Sequence, residues 1–408
     1  MEYKVRAWVA PTGEVLSTVV RCLSGEPQVL AMRFALHERV RGSSGRLRAL
    51  MMRIAELYDA FEKVSGSARL EPALGQGNLT SWQIARASAY AERNSAKQST
   101  GTIERAARGG RRSGSASARR VNRRLTAWRK FIKWGMNDAG WRFAPTFRSR
   151  EEARARGQLR NEILELLDAA RFPEPSSNSV RSLDDFELSC IEDAFAGIAS
   201  VPFPERAGVL WRTSLIYKLA RWGGLRIGEI LTLYVSDLAD SRGQRPGVTV
   251  TRRPGNLRDP RGVYAPSVKR YGRRVTLPLD VVDELSAFVR SGRFGSRSPF
   301  MFVSQAGVPL SVTSAYDAVH HIRAHAIRCF EERHPSIKHS LGTFSWHRLR
   351  HRRAEELLDV FFPLDKRAPK GGEDEFLAFF GWSSRDSATP YIREHLRRRA
   401  DLRLAVSR

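Results

Sequence analysis

Residues 1–23 alternate about a turn, YKVRAWV, then APTGE, then VLSTVVR. This period of two predicts a β-hairpin, either an edge element or a contacting arm. From residue 27 to 171 the period becomes helical. Leu47, Leu50, Met51, Ile54, Leu57, Tyr58 and Phe61 share one face of a long helix. Val121, Leu125, Trp128, Ile132 and Met136 line a second helix over about residues 116–138. Both stripes are assigned to core, and Trp128 and Trp134 to packing. The Pro- and Ser-rich segment FPEPSSNS, residues 172–179, interrupts the pattern. Ser182 with Asp185 then resembles a helix N-cap and its N3 partner. Beyond it the pattern is mixed: helices over about 183–235, strands near 248–253, 263–269 and 273–279, and helices to the end. The expected organisation is an N-terminal hairpin or arm-like segment (1–26), a helical domain (27–171), a linker (172–182) and a mainly α domain with a small antiparallel sheet (183–408). No internal repeat is visible.

Composition narrows the partners. A chain of 408 residues that is 42% hydrophobic can fold more than one core. Lys and Arg number 69 against 43 Asp and Glu, a formal charge of +26. So large an excess works against compaction unless a polyanion neutralises it, which makes nucleic acid the leading partner. A solvated basic surface or a membrane surface would also accommodate it. No apolar run approaches the roughly 20 residues of a spanning helix, so no integral membrane protein is expected. The N-terminus lacks a basic stretch followed by an apolar one, so no secretory signal is expected either. Cys22, Cys190 and Cys329 are odd in number and far apart, which suggests neither a disulfide framework nor a zinc site. A cytoplasmic location follows. His320, His321 and His325 have the spacing of one helix face, the better reading than a metal pair.

Charge also singles out the second helix. Arg119, Arg120, Arg123, Arg124, Arg129 and Lys130 occupy the faces its apolar stripe leaves, and Arg111 and Arg112 precede it in GGRRSGSAS. Arg111, Arg112, Arg119, Arg120, Arg123 and Arg124 are candidate contacts to a DNA backbone, with a solvated face as the alternative. The N-terminal hairpin is a further candidate DNA-contacting arm.

Four segments carry candidate chemistry. In WGGLRIGEILTL, residues 222–233, Gly223 and Gly224 end one helix and Arg226 opens the next, where an anion is favoured. Its guanidinium can grip two phosphate oxygens, with Glu229 one turn on to orient it. A surface arginine paired at i, i+3 fits equally well. SVKRYGRRVTLPL, residues 267–279, reads as strand, turn, strand, with Lys269 before the turn. Such a lysine can protonate a leaving oxygen or merely keep a hairpin edge soluble. In FSWHRLRHRRAEELL, residues 344–358, His347 and Arg350 at i and i+3 offer a proton acceptor beside a phosphate clamp, although HxxR arises readily by chance in an arginine-rich chain. FLAFFGWSSRDSATPYIREH, residues 376–395, ends a short apolar helix at Gly381. Trp382, a Ser-rich stretch and Pro390-Tyr391 follow, the proline suiting the first turn of a new helix. Polar neighbours make Tyr391 a poor core residue.

In that order and spacing, Gly224-Leu225-Arg226 with Glu229, Lys269, His347 with Arg350, Trp382, and Tyr391 nine residues after it resemble the signature of the tyrosine recombinases, the family of phage and transposon integrases. The resemblance covers residues 183–400 with specific motifs and extends loosely to the helices before them. His351 fits the histidine that often follows the family's H-x-x-R. Tryptophan at 382 replaces a commoner histidine. The stretch from Arg350 to Tyr391, with LDKRAPKGGEDE, is longer than usual, and residues 1–26 fall outside the resemblance.

The resemblance implies a helical core-binding domain and a catalytic domain forming a C-shaped clamp on double-stranded DNA. It implies a homo-tetramer in a synaptic complex, in a prokaryotic, nucleoid-associated setting, with no cofactor and no metal. Tyr391 would attack a phosphodiester to give a 3′-phosphotyrosine and a free 5′-hydroxyl. Arg226 and Arg350 would stabilise the non-bridging oxygens, Lys269 would protonate the 5′-oxygen and His347 would help accept the tyrosine proton. Trp382 would donate its indole N–H to phosphate. Lys218, Arg270, Arg273 and Arg274 compete with Lys269 for its role. The alternatives are relaxation of DNA in the manner of a type IB topoisomerase, a non-catalytic DNA-binding partner of other recombinases, and a metal-dependent transposase or nuclease. The tail REHLRRRADLRLAVSR could dock on a neighbouring subunit, touch DNA or fray.

Overall fold

The computed structural model describes residues 2–12, 14–39, 44–66, 68–76, 79–90, 113–137, 150–173, 183–199, 204–239, 245–253, 259–266, 268, 272–362 and 372–406. The chain divides into two compact units, Met1–Ser177 and Asn178–Arg408.

In the first unit, strands β1 (Tyr3–Val9) and β2 (Val15–Arg21) pair antiparallel, from Tyr3 opposite Arg21 to Val9 opposite Val15. The helices are α1 (Val29–Arg39), α2 (Ser44–Ser65), α3 (Leu70–Gln76), α4 (81–90), α5 (Ser113–Gly135) and α6 (Arg150–Ala169). The hairpin is tied into this helical unit and does not stand off as an arm. Tyr3 is fully buried and its hydroxyl donates to Glu62 on α2. Asp59, one turn earlier, accepts the amides of Glu2 at 2.6 Å and Tyr3 at 3.2 Å. Tying the first strand to a helix satisfies backbone donors that a free edge would leave to solvent.

Both predicted stripes are core. Leu47, Met51, Ile54, Leu57, Tyr58 and Phe61 are buried from α2, and Val121, Leu125, Trp128, Ile132 and Met136 from α5. The Trp128 indole N–H donates to the Arg53 carbonyl at 2.7 Å, so this ring is committed to packing. Trp134 packs on Phe34 and Phe131. The basic face of α5 is smaller than the sequence suggests. Arg119, Arg120 and Arg123 are exposed, but Arg124 is buried and its Nε donates to Glu56 at 2.5 Å. Arg124 lies directly before Leu125, and its angular position turns it toward α2. Arg111 and Arg112 lie outside the described residues.

The second unit begins with α7 (Asp185–Ala199), α8 (Pro204–Trp222) and α9 (Ile227–Ile230). The cap of α7 sits later than Ser182 with Asp185 would place it. Asp184 Oδ1 accepts the Glu187 amide at 2.8 Å, and Glu187 Oε2 accepts the Asp184 amide at 3.2 Å, a reciprocal capping box. Strands β3 (Leu238–Ala239), β4 (Gly247–Val250) and β5 (Arg273–Thr276) form an antiparallel sheet in the order β3-β4-β5. Of the strand expected near 263–269, the described residues 263–266 and 268 are not extended in a ladder, and Gly262–Tyr264 is a single 3-10 turn. Pro260 and Pro266 bracket it, and proline cannot donate to a ladder. The partner of β5 is therefore β4. Lys269 and Arg270 lie outside the described residues.

The remaining helices are α10 (Leu279–Ala287), α11 (Val312–Arg333), α12 (Trp346–Phe361), α13 (Gly372–Phe380) and α14 (Thr389–Val406). A large apolar core binds α7, α8, α10 and α11 to the sheet and to the start of α12. A smaller core of Ala354, Leu357, Leu358, Phe376, Phe380 and Ala388 joins α12, α13 and the approach to α14. Both units are mainly helical with small antiparallel sheets, as the patterning predicts. Among the described residues, no helix is long and apolar enough to cross a membrane.

Candidate active site

The site is built where three chain reversals meet. The first follows α8. Gly224 has φ +58°, the left-handed region where a Cβ is strained, and a Cβ there would lie 2.6 Å from the Phe380 ring. Its carbonyl accepts from Arg350. Gly224→Ala is accordingly expected to cost roughly 2–4 kcal/mol through backbone strain and overpacking. A urea-unfolding midpoint that falls while the slope is unchanged would record it.

Arg226 is the N-cap of α9, and Glu229 accepts both its amide, at 2.9 Å, and its Nη1, at 2.9 Å. Because α9 is a single turn, the positive field here comes from guanidinium groups more than from a helix terminus. Glu229 is the hub of the cluster. Arg273 on β5 grips both its oxygens, at 3.1 and 2.9 Å, and Arg350 Nη1 lies 3.8 Å away. Three arginines thus surround one carboxylate, a net charge of +2 over these four side chains.

Glu229 is 2% exposed. Burial alone would push its carboxyl up; the hydrogen bonds and charge of Arg273, the charge of Arg350 and the Arg226 amide outweigh it and bring the value down to about 2. The folded value lies below the ordinary 4.5, so the associated stability is complete above pH 4.5 and is lost as pH falls toward 2. The difference corresponds to about 3 kcal/mol. Acid unfolding followed by circular dichroism should show a loss of stability in that window, and Glu229→Gln should flatten it.

The second reversal ends α13. The Gly381 amide donates to the Ala378 carbonyl at 3.0 Å and the Trp382 amide to the Leu377 carbonyl at 2.9 Å, with Gly381 at φ +59°. This pairing is a Schellman cap, and it folds Trp382 back over the helix it follows. The third reversal is a 3-10 turn, Arg385–Ser387, whose Ser384 hydroxyl accepts the Asp386 amide at 3.2 Å. It delivers Pro390 and Tyr391 to the first turn of α14.

These turns assemble a stack of rings. Trp382 lies on Phe380 with centroids 4.8 Å apart and planes at 22°, and Tyr391 lies on Trp382 at 5.4 Å and 20°. The ring of His351 follows Tyr391 at 5.3 Å and 28°. The Tyr391 hydroxyl is hydrogen-bonded to His351 Nδ1. Tyr391 is half-buried against the smaller core, more enclosed than its polar sequence neighbours suggest.

Arg350 threads between the stack and the carboxylate hub. It is 1% exposed and donates to the carbonyls of Gly224 and Phe380. Its guanidinium lies 4.9 Å from the Phe380 centroid and 5.4 Å from that of Trp382. Burial, and then the charge of Arg226, hold it well below the usual arginine range. His347, three residues earlier, is exposed and does not share this environment. A helix turns 300° in three residues, enough to put Arg350 inside with Trp346 and Leu349 while His347 stays at the rim. The His347 ring meets His351 edge-on at 4.3 Å.

Of the candidate catalytic residues, Arg226, His347, Arg350, Trp382 and Tyr391 belong to one continuous set of contacts with Glu229, and Lys269 lies outside the described residues. Of the competitors for the role of Lys269, Lys218 is paired with Glu284, Arg273 is committed to Glu229, and Arg274 donates to the Arg245 carbonyl. The pattern did not reveal that Arg273 braces the hub. Period-two alternation puts Arg273 on the same side of β5 as buried Val275, the one available signal. The contact between His351 and Tyr391 was also missed, although His351 lies four residues from His347 and so on the same helix face.

No known family's sequence profile matches the chain, and no curated protein matches it. Among solved structures it is similar to the Tn1549 transposon integrase in complex with transposon right-end DNA, at 13% identity and a TM-score of 0.41 over 85% of this chain and 98% of that one. The same integrase in complex with a circular-intermediate DNA gives 14% and 0.42 over 82% and 94%. XerA recombinase gives 14% and 0.36 over 84% and 96%. All three scores lie below 0.5, and the functional reading below rests on the contacts of the site itself.

Proposed function

We propose that this chain is a tyrosine site-specific recombinase that cuts and rejoins double-stranded DNA through a 3′-phosphotyrosine, in the service of a mobile element. The observation that carries the reading is the hydroxyl of Tyr391, seated against a histidine and linked through Trp382 and Arg350 to the Glu229 hub. A tyrosine hydroxyl is a weak nucleophile unless a neighbouring acceptor takes its proton. Arg226 is half-buried at the edge of the hub and is the guanidinium placed to meet a phosphate from solvent. Preorganised positive charge of this kind stabilises the negative charge that develops on phosphoryl oxygens. Trp382 orients the tyrosine ring by stacking and adds an indole donor. Lys269 is the proposed acid toward the 5′-oxygen. The phosphotyrosine bond keeps the energy of the phosphodiester, so resealing needs no nucleotide, and no step calls for a metal.

The exposed Arg119, Arg120 and Arg123 on α5, with Arg111 and Arg112, are proposed contacts to the DNA backbone, and the active assembly is proposed to be a homo-tetramer on two DNA sites. The test uses a pool of nicked duplexes with randomised sequence around the nick. Cleavage beside the nick releases a short fragment that diffuses away and strands the covalent intermediate. An SDS-resistant adduct formed in EDTA is the expected result, and sequencing the trapped DNA identifies the site. A product with free ends and no adduct, dependent on a divalent metal, would point to a metal-dependent nuclease. Relaxation of any supercoiled plasmid without sequence preference would point to topoisomerase activity.

A further inference from the structure

We infer that His351, and not His347, is the residue that takes the proton of Tyr391 when the tyrosine oxygen attacks phosphorus. The inference rests on the strand-cleavage reading above and assigns one role within it. Geometry separates the two histidines. His351 is buried on α12, stacks on the tyrosine ring and is hydrogen-bonded through Nδ1 to the tyrosine hydroxyl. His347 lies at the surface one turn away and meets His351 ring edge to ring face.

The surroundings fix the form of His351. Burial, followed by the neighbouring His347, Arg350 and Arg348, depresses its value to about 3. From Tyr391 on α14 it receives a hydroxyl and no charge. It is therefore neutral at physiological pH. In the tautomer with its proton on Nε2, Nδ1 is a standing acceptor for the tyrosine O–H.

In the reaction, the O–H bond of Tyr391 breaks and its proton passes to His351 Nδ1. The tyrosine oxygen forms a bond to phosphorus, and the bond from phosphorus to the 5′-oxygen breaks. That oxygen keeps the electron pair and takes a proton from Lys269. Religation runs the same transfers backwards. A bound phosphate eases the part of this histidine's reluctance to hold a proton that comes from neighbouring charge, burial being the larger part. Its negative charge beside Arg226 and Arg350 offsets the cations that disfavour the imidazolium in the free protein.

The test compares wild type, His351→Asn, His351→Phe and His347→Gln for the rate of adduct formation on the nicked-duplex pool, from pH 6 to pH 9.5. Asparagine keeps an acceptor near the Nδ1 position but cannot carry a proton; phenylalanine keeps only the stack. Both His351 variants are expected to form adduct about 10²–10⁴-fold more slowly at pH 7. Their rates should climb steeply toward pH 9.5 as the tyrosine ionises unaided, while DNA binding stays near the parental level. A histidine with a purely structural role would not give that change of pH profile. His347→Gln should lose less rate and keep the parental profile. The inference is overturned if His351→Asn reacts at the parental rate with the parental profile, or if His347→Gln is the slower protein. If wild type forms no adduct on any duplex, the strand-cleavage reading itself falls, and the proton assignment with it.

Discussion

Tyr391→Phe protein is expected to bind the nicked duplexes as tightly as the parent and to form no covalent adduct with them at any pH. The substitution removes one oxygen and keeps the ring that stacks between Trp382 and His351. What is lost structurally is a single hydrogen bond to His351, about 0.5–1.5 kcal/mol of stability. Binding draws on the wider excess of positive charge and does not need the hydroxyl. Retained affinity with complete loss of adduct, read by filter binding and by SDS gel on the same preparations, is therefore the signature of a nucleophile. An adduct formed by the phenylalanine protein would sink the assignment of Tyr391. A parallel fall in affinity would instead give the hydroxyl a binding role.

How far the sequence foretold this site depended on the range of the contacts. The stripes of α2 and α5 were readable because every residue in them shares a helical period, and the structure buries both. The Gly381 cap and the helix that opens at Pro390 were readable because each rests on a local backbone preference. What escaped were contacts between segments far apart in the chain. Arg273 meets Glu229 across 44 residues, and His351 meets Tyr391 across 40. No local pattern distinguishes Arg273 from Arg274 except the side of the strand it occupies. The same limit explains Arg124, which belonged to a basic face on paper but finds Glu56, 68 residues away, and turns inward. Before Lys269, Pro260 and Pro266 flank the segment expected as a strand, and proline cannot donate to a ladder.

Arg226 and Arg350 should respond differently to the same truncation, and the difference separates phosphate binding from scaffold. Arg226 has a side chain about one-quarter exposed and pairs mainly with Glu229. Arg226→Ala leaves that carboxylate with Arg273 still gripping both oxygens, so the fold should survive with a loss of no more than about 1 kcal/mol. Cleavage should fall by at least about 10²–10³-fold, the scale of removing one preorganised donor from a developing charge. Arg350 is 1% exposed, and its truncation would strip hydrogen bonds from two carbonyls, remove a charge near Glu229 and open a void against Phe380 and Trp382. Arg350→Ala is thus expected to cost about 3–5 kcal/mol of stability as well as cleavage. Arg350→Lys should recover little of either, because one ammonium cannot bridge two carbonyls and lie over two rings as a planar guanidinium does. Urea-unfolding midpoints measured beside adduct yields resolve the pair. A stable but inactive Arg226→Ala with an unstable Arg350→Ala would make Arg226 the phosphate ligand and Arg350 the brace that holds the Gly224 turn to the α13 cap. Equal stability for the two would mean that the Arg350 contacts add little to the fold, leaving Arg350 free to meet the phosphate directly.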